Sequence, residues 1–217
     1  EIGGGCGAFS GMFAKNLKHV TVVELSKRRA EIIYNRHKNY SNLEIIAGNL
    51  NDVIFEEKFD YVTLIGVLEY AGKFTDGDTP FKNFLENAKS YLKPNGKLLL
   101  AIENKFGMKY WAGAREDHTG RLFDSIENYP NDKGIQTFGK VELIELLQSA
   151  GYKDTNFYYP MPDYKLPKVV YSDEYLPKID DLFDIYSPNF DQDRYVLFNE
   201  REAFKNIIKN IQFDFFA

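Results

Sequence analysis

The chain has 217 residues, of which 44% are hydrophobic and 27% charged, with a net charge of −5. That balance is ordinary for a globular domain with a sizeable core, and its acidity speaks against a nucleic-acid partner. One cysteine excludes an internal disulfide framework and suits a reducing, cytoplasmic setting, while no apolar run reaches bilayer length.

The opening run Glu1-Ile2-Gly3-Gly4-Gly5-Cys6-Gly7-Ala8-Phe9-Ser10-Gly11 sets an acid and three alternating glycines before a helical pattern. Such glycines allow a sharp turn at positive φ and close approach of a ligand to the backbone. The helix that follows offers N–H groups to an anion. Cys6 reads as a small turn residue. Glu1 stands where a strand finishes, and a buried strand needs about five residues. The sequence is therefore expected to be a piece of a longer polypeptide, with most of its first strand upstream.

Residues 8–17 are expected to be helical, with Phe9, Met12, Phe13 and Leu17 on a buried face. The β-branched run His19-Val20-Thr21-Val22-Val23-Glu24 predicts a strand ending in an acid. Ser26 then caps a helix to about His37 with Ala30, Ile33 and Tyr34 inward, and His19 and His37 read as surface or edge residues. Leu43-Glu44-Ile45-Ile46 predicts a third strand before the polar turn 48–52. Residues 59–66, nearly all apolar, predict a doubly covered parallel strand. A helix near 80–92 stops at Leu92-Lys93-Pro94-Asn95-Gly96, and 97–103 is the next strand. This alternation predicts an open, doubly wound, mostly parallel α/β sheet.

After Glu103 the rhythm breaks. Residues 104–138 lack a sustained period and are taken as an insertion, followed by a helix over 140–150 closed by Gly151. Strands are expected at 152–159 and 194–199, with a Pro- and Tyr-rich second insertion over 160–190 between them. All 217 residues are expected to form one domain, without repeats or low-complexity tracts.

Five stretches, in this order and spacing, resemble the class I S-adenosylmethionine-dependent methyltransferases. The opening Glu1-Ile2-Gly3-Gly4-Gly5-Cys6-Gly7 resembles the family's acid followed by G-x-G-x-G. Glu24 falls where that family has its ribose-binding acid, and Gly48-Asn49 at its adenine turn. Phe59-Asp60-Tyr61-Val62 with Val67-Leu68-Glu69-Tyr70 resembles its fourth motif, and Tyr91-Leu92-Lys93-Pro94-Asn95-Gly96-Lys97-Leu98 its L-K-P-G-G-x-L stretch. The resemblance covers about residues 1–103. It implies a Rossmann-like sheet of seven strands with a final antiparallel strand, and S-adenosyl-L-methionine as cofactor. The implied cofactor-binding residues are Glu1, Gly3, Gly5, Gly7, Glu24, Leu25, Asn49, Leu50 and Gly66. A carboxylate at Glu24 suits vicinal ribose hydroxyls, Leu25 and Leu50 suit the faces of adenine, and the Asn49 amide oxygen suits its exocyclic amine. Glu1 either orients the turn or meets the donor's ammonium group, with the structural role preferred. Asn49 replaces the family's usual Asp, and Tyr70 a frequent His.

Methyl transfer from a sulfonium needs alignment and exclusion of water, and a hydroxyl acceptor also gains from a base. The strand ends put Glu69, Tyr70, Glu103 and Asn104 at the rim. In the first insertion His118 is the base candidate, with Asp117 or Glu116 to orient it; the plain alternative is an exposed loop histidine. Tyr70 is the further catalytic candidate. Glu103, Asn104, Tyr110 and Trp111 are candidate acceptor-binding residues, Tyr110 and Trp111 by stacking. The run from Glu103 to Gly107 with Glu116-Asp117-His118-Thr119-Gly120 resembles methyltransferase domains joined to glycosyltransferases in bacterial surface-polysaccharide proteins. That likeness implies polysaccharide biosynthesis, a small-molecule or sugar hydroxyl as acceptor, and a covalently linked glycosyltransferase or other domain as partner. The D/N-P-P-Y/F signature of amino methylation is absent, and no Cys/His spacing suggests a metal. Two alternatives stand beside methyl transfer: a non-catalytic donor-binding module, and a nicotinamide-dependent oxidoreductase.

Overall fold

In a computed structural model, which describes residues 1–132, 134–178, 197–210 and 212–217, the chain forms two units, Glu1–Ala101 and Ile102–Ala217. The first unit is a parallel α/β layer. Residues 1–3 run into α1 (Ser10–Asn16), followed by β1 (Val20–Glu24), α2 (Lys27–His37) and β2 (Leu43–Ala47). Then come β3 (Phe59–Ile65), the short α3 (Ala71–Phe74), α4 (Pro80–Ser90) and β4 (Leu92–Ala101). β1 pairs in parallel with β2, and β3 with β4. Ile2 bridges both Val23 of β1 and Leu64 of β3 in parallel, so the opening residues lie between the two pairs. Backbone bonds hold them there, from Ile2 N–H to the Thr63 carbonyl at 3.0 Å and from Gly3 N–H to the Val23 carbonyl at 2.7 Å.

Every strand therefore ends at the same edge, where ligands meet open parallel sheets. The residues that leave that edge are the glycine turn, Leu25, Gly48-Asn49 and Gly66. The Pro94 turn expected before the last strand is a bulge within it: Phe59 pairs with Leu92 and Tyr61 with Lys97, so residues 93–96 loop out.

Two helix faces differ from expectation. In α1 the buried residues are Ser10, Gly11 and Ala14, while Phe9, Met12 and Leu17 are exposed. On this face the neighbouring side chains leave little room: a Cβ on Gly11 would clash with the His37 ring, and in the turn before α1 a Cβ on Gly4 would stand 2.5 Å from the Val22 side chain and 2.9 Å from that of Ile33. In α2 the inward set is Ala30, Ile33 and His37, and Tyr34 is 62% exposed. Steps of three and four residues keep these on one stripe, and Tyr34 lies about 100° round the helix from Ile33.

The second unit has sparse regular structure: α5 (Met108–Trp111), α6 (Lys140–Ser149), β5 (Tyr158–Met161), β6 (Val169–Ser172) and α7 (Glu200–Ile207). Gly151, at φ +85°, ends α6 as expected. The strand expected over 152–159 occurs later, at β5, and pairs antiparallel with β6 from within the second expected insertion. Thus the described residues hold a four-strand parallel arrangement joined by Ile2 and a separate antiparallel pair, rather than one seven-stranded sheet. The strand expected over 194–199 is also corrected where it is described. Residues 197–199 lead into α7, whose cap is the Asn199 side chain accepting from the Glu202 N–H; residues 194–196 lie outside the described residues, as do 179–190 of the second insertion.

The phenylalanines of the second half account for this unit's core. Met108, Tyr159, Met161, Tyr171, Phe204 and Phe213 are buried together, with Phe157 and Phe216 packed against them. Phe213 meets Tyr159 and Tyr171 edge-on at 5.8 and 5.6 Å, the arrangement favoured by aromatic quadrupoles.

Candidate active-site residues

Gly3, Gly5 and Gly7 adopt φ of +74°, +57° and +80°, the left-handed region that side chains resist. They are not equivalent. A Cβ on Gly3 would stand 2.5 Å from Val67, whereas one on Gly5 would meet nothing within 4 Å. Gly3 is needed for packing as well as conformation; Gly5 turns an open backbone face outward. Glu1 serves the turn's frame, its carboxylate accepting from the Ser10 hydroxyl of α1. Burial raises the Glu1 pKa, partly offset by that hydrogen bond.

Glu24, at the end of β1, is buried. One carboxylate oxygen accepts the Gly5 N–H at 2.8 Å and the other the Ser26 N–H at 2.9 Å. The same acid thus braces the glycine turn and the start of α2. Each oxygen retains a lone-pair direction for a further donor. Asn49 leads the tight turn Leu50–Asp52; its amide oxygen accepts from Asn51 N–H and its amide nitrogen donates to the Phe74 carbonyl, both at 3.1 Å. Leu50 is buried and Leu25 is 49% exposed. Gly66, at φ +64°, donates to the Ala101 carbonyl. Tyr70 closes the turn Leu68–Tyr70 with its ring partly exposed.

In the second unit His118 is no exposed loop residue: its side chain is 5% exposed. Its Nδ1 lies 2.8 Å from Glu116 Oε1, and the other Glu116 oxygen accepts the N–H groups of His118 and Thr119 at 2.7 and 2.6 Å. Burial alone raises the Glu116 pKa, but the bonds from His118 outweigh it and hold it below its ordinary value. An ionised carboxylate only accepts, so Nδ1 carries a proton and donates it to Glu116. Nε2 lies 3.7 Å from Glu103, whose other oxygen is 3.1 Å from Lys165.

Of the two acidic neighbours, Glu116 meets the imidazole Nδ1. Asp117 instead accepts from Lys109 at 2.6 Å and from the Tyr110 hydroxyl at 2.7 Å. That bond and the surrounding core leave Tyr110 1% exposed, so it is not a stacking surface. Asn104 is likewise occupied, with its amide donating to the carbonyls of Phe215 and Ala217. Trp111 is partly exposed, and its indole N–H donates to the Phe106 carbonyl.

A family model described as a methyltransferase domain matches residues 1–156. The chain belongs to the methyltransferase domain family. Solved structures with the same fold include BH2331 of Bacillus halodurans C-125, at 20% identity over 73% of this chain and 64% of that one, TM-score 0.51. Another is the DhpI–SAH complex, at 20% identity over 76% and 70%, TM-score 0.50. A third is YcgJ of Bacillus subtilis, at 18% over 73% and 65%, TM-score 0.50. This chain spans less than two thirds of the length of BH2331 and YcgJ. Among curated proteins none matches. No helix among the described residues is long and apolar enough to cross a membrane.

In this methyltransferase domain, sequence reasoning missed residues that hold others in place, and His37, expected at the surface or an edge, is one of them. His37 Nε2 is 2.7 Å from the Gly7 carbonyl, and Arg36 Nη1 donates to the Cys6 carbonyl at 2.7 Å. The signal for His37 was its spacing from Ile33 on α2. Lys109 and Lys165 carried no local signal, because their carboxylate partners are distant in sequence or in another loop.

Proposed function

We propose that this methyltransferase domain uses S-adenosyl-L-methionine to methylate a hydroxyl oxygen of a small-molecule or sugar acceptor. That donor supplies a methyl group already activated on a sulfonium centre. The residues fit it: Gly5 offers an open backbone face, Glu24 retains acceptor capacity for ribose hydroxyls, and Leu25 and Leu50 offer apolar surface for adenine. Gly3, Gly7 and Gly66 shape the surrounding turns, Glu1 supports them, and Asn49 holds the Leu50 turn.

The observation that carries the hydroxyl reading is the buried pair of His118 and Glu116. A hydroxyl is a poor nucleophile until its proton leaves, and a positioned base contributes about 10²–10⁴-fold to such a step. Here Glu116 orients the ring and stabilises the imidazolium formed when Nε2 takes the proton, and Glu103 adds to that stabilisation. Glu103 and Trp111, in the second unit, are proposed to meet the acceptor, and Tyr70 is kept as a separate catalytic candidate in the first. Tyr110 and Asp117, bonded to each other, and Asn104, bonded to the Phe215 and Ala217 carbonyls, are proposed to support the second unit's loop rather than to touch the acceptor. The domain is proposed to act in the cytoplasm, within a longer polypeptide that carries a glycosyltransferase or another domain.

The test is transfer of labelled methyl from the donor across a panel of sugars and hydroxylated small molecules, for the native chain and His118→Ala. Turnover that falls by about 10²-fold or more with donor affinity intact supports the proposal. Methylation confined to amines, or full activity in the variant, contradicts it.

A further inference from the structure

We propose that His37, on the last turn of α2, is a positioning residue for the donor-binding turn. It acts through the Gly7 carbonyl. This rests on the donor reading above, since the turn it holds is the one assigned to the cofactor.

The geometry begins with α2. Ile33 and His37 share its inner stripe and cover the turn, with Ile33 3.3 Å and the His37 ring 3.1 Å from where a Gly7 Cβ would be. His37 Nε2 reaches the Gly7 carbonyl at 2.7 Å; a carbonyl only accepts, so Nε2 carries the proton. One residue earlier, Arg36 takes the Cys6 carbonyl. Two successive carbonyls of the turn are thus drawn towards α2 by two successive side chains. In a trans peptide the C=O and the following N–H point in opposite directions. Holding the Gly7 carbonyl therefore aims the Ala8 N–H away from α2, and fixes the direction in which that donor is offered to an anionic group of a ligand.

Gly11 belongs to the same device. A Cβ there would clash with the His37 ring edge at Cε1 and Nδ1, although Gly11 lies in a helix, where alanine is otherwise preferred by about 1 kcal/mol. The glycine leaves room for the ring, and the ring sets the turn.

The test is calorimetric affinity for S-adenosylhomocysteine in the native chain, His37→Ala, His37→Gln, Gly11→Ala and the double variant Gly11→Ala/His37→Ala, with thermal melting of each unliganded protein. His37→Ala is expected to bind about 3- to 10-fold more weakly, the scale of one neutral hydrogen bond. His37→Gln, which keeps an N–H donor, recovers part of that loss. Gly11→Ala mimics His37→Ala, and adds no further loss once the ring is gone. If His37→Ala does not fold, the Gln and Gly11 variants still give the affinity comparison. Native affinity in every folded variant, whatever its melting temperature, overturns the proposal and leaves His37 a packing residue. Absence of binding by the native chain overturns the donor reading itself and this proposal with it.

Discussion

The Glu24 carboxylate accepts the Gly5 N–H at 2.8 Å, across nineteen positions of sequence. Its second oxygen holds Ser26, so the acid is a brace for the turn before any ligand arrives. Glu24→Ala is therefore expected to act twice. It removes the proposed ribose contact, worth about 1.5–3 kcal/mol for each charge-assisted bond, and leaves the Gly5 and Ser26 N–H groups without their acceptor. Denaturant melts should show lower stability and calorimetry weaker binding of the demethylated donor. Unchanged affinity would take Glu24 out of the site.

Gly3 and Gly5 share a positive φ but not a neighbourhood. Alanine at either position carries about 1–2 kcal/mol of backbone strain. At Gly3 it also meets Val67, adding about 1–3 kcal/mol of overpacking. Gly3→Ala should thus be the less stable variant in urea melts, while Gly5→Ala loses more donor affinity relative to its stability. The opposite ranking would contradict the assignment of the open face to Gly5.

That distinction also marks how far the sequence could be read. The parallel order, the glycine turn and Glu24 depend on local spacing and strand ends, and these were legible. The inner face of α1 was not, and that of α2 only in part, with Ala30 and Ile33 inward as expected and Tyr34 exposed. Hydrophobicity pointed to Met12 and Tyr34, whereas Gly11 and Ala14 lie inward on α1 and the His37 ring fills the space beside Gly11. α7 was missed although Ala203, Phe204, Ile207 and Ile208 recur at helical spacing behind the Asn199 cap. Tyr110 looked like a stacking residue because no local pattern reveals that Asp117 would bury its hydroxyl. His118 was found from its residue type and its acidic neighbours, but only the three-dimensional arrangement selects Glu116.

Asp117 gives a pH-dependent prediction. Burial alone raises its pKa, but Lys109 and the Tyr110 hydroxyl outweigh it and hold the carboxyl below its ordinary value. A depressed folded pKa means stability that is present above the unfolded pKa near about 4 and is lost as pH falls through the lower folded value. Asp117→Asn should be less stable than the native chain at pH 7 by about 3 kcal/mol. The difference should narrow on acidification below about pH 4. A gap in unfolding free energy that does not change between pH 7 and pH 3 would contradict this.

Glu116→Gln separates orientation from charge. The amide keeps one acceptor for the ring, turns its NH2 towards the His118 and Thr119 N–H groups, and loses the charge that favours imidazolium. Turnover is expected to fall by about 10-fold or more, within the contribution of a general base, and donor affinity to stay near native. A loss of donor affinity without loss of turnover would contradict the assigned role.

The most direct measurement is calorimetric titration of the native chain with S-adenosylmethionine and with S-adenosylhomocysteine. The account predicts saturable binding of both at one site per chain, weakened by Glu24→Ala. Binding of neither, or binding indifferent to Glu24, would contradict it.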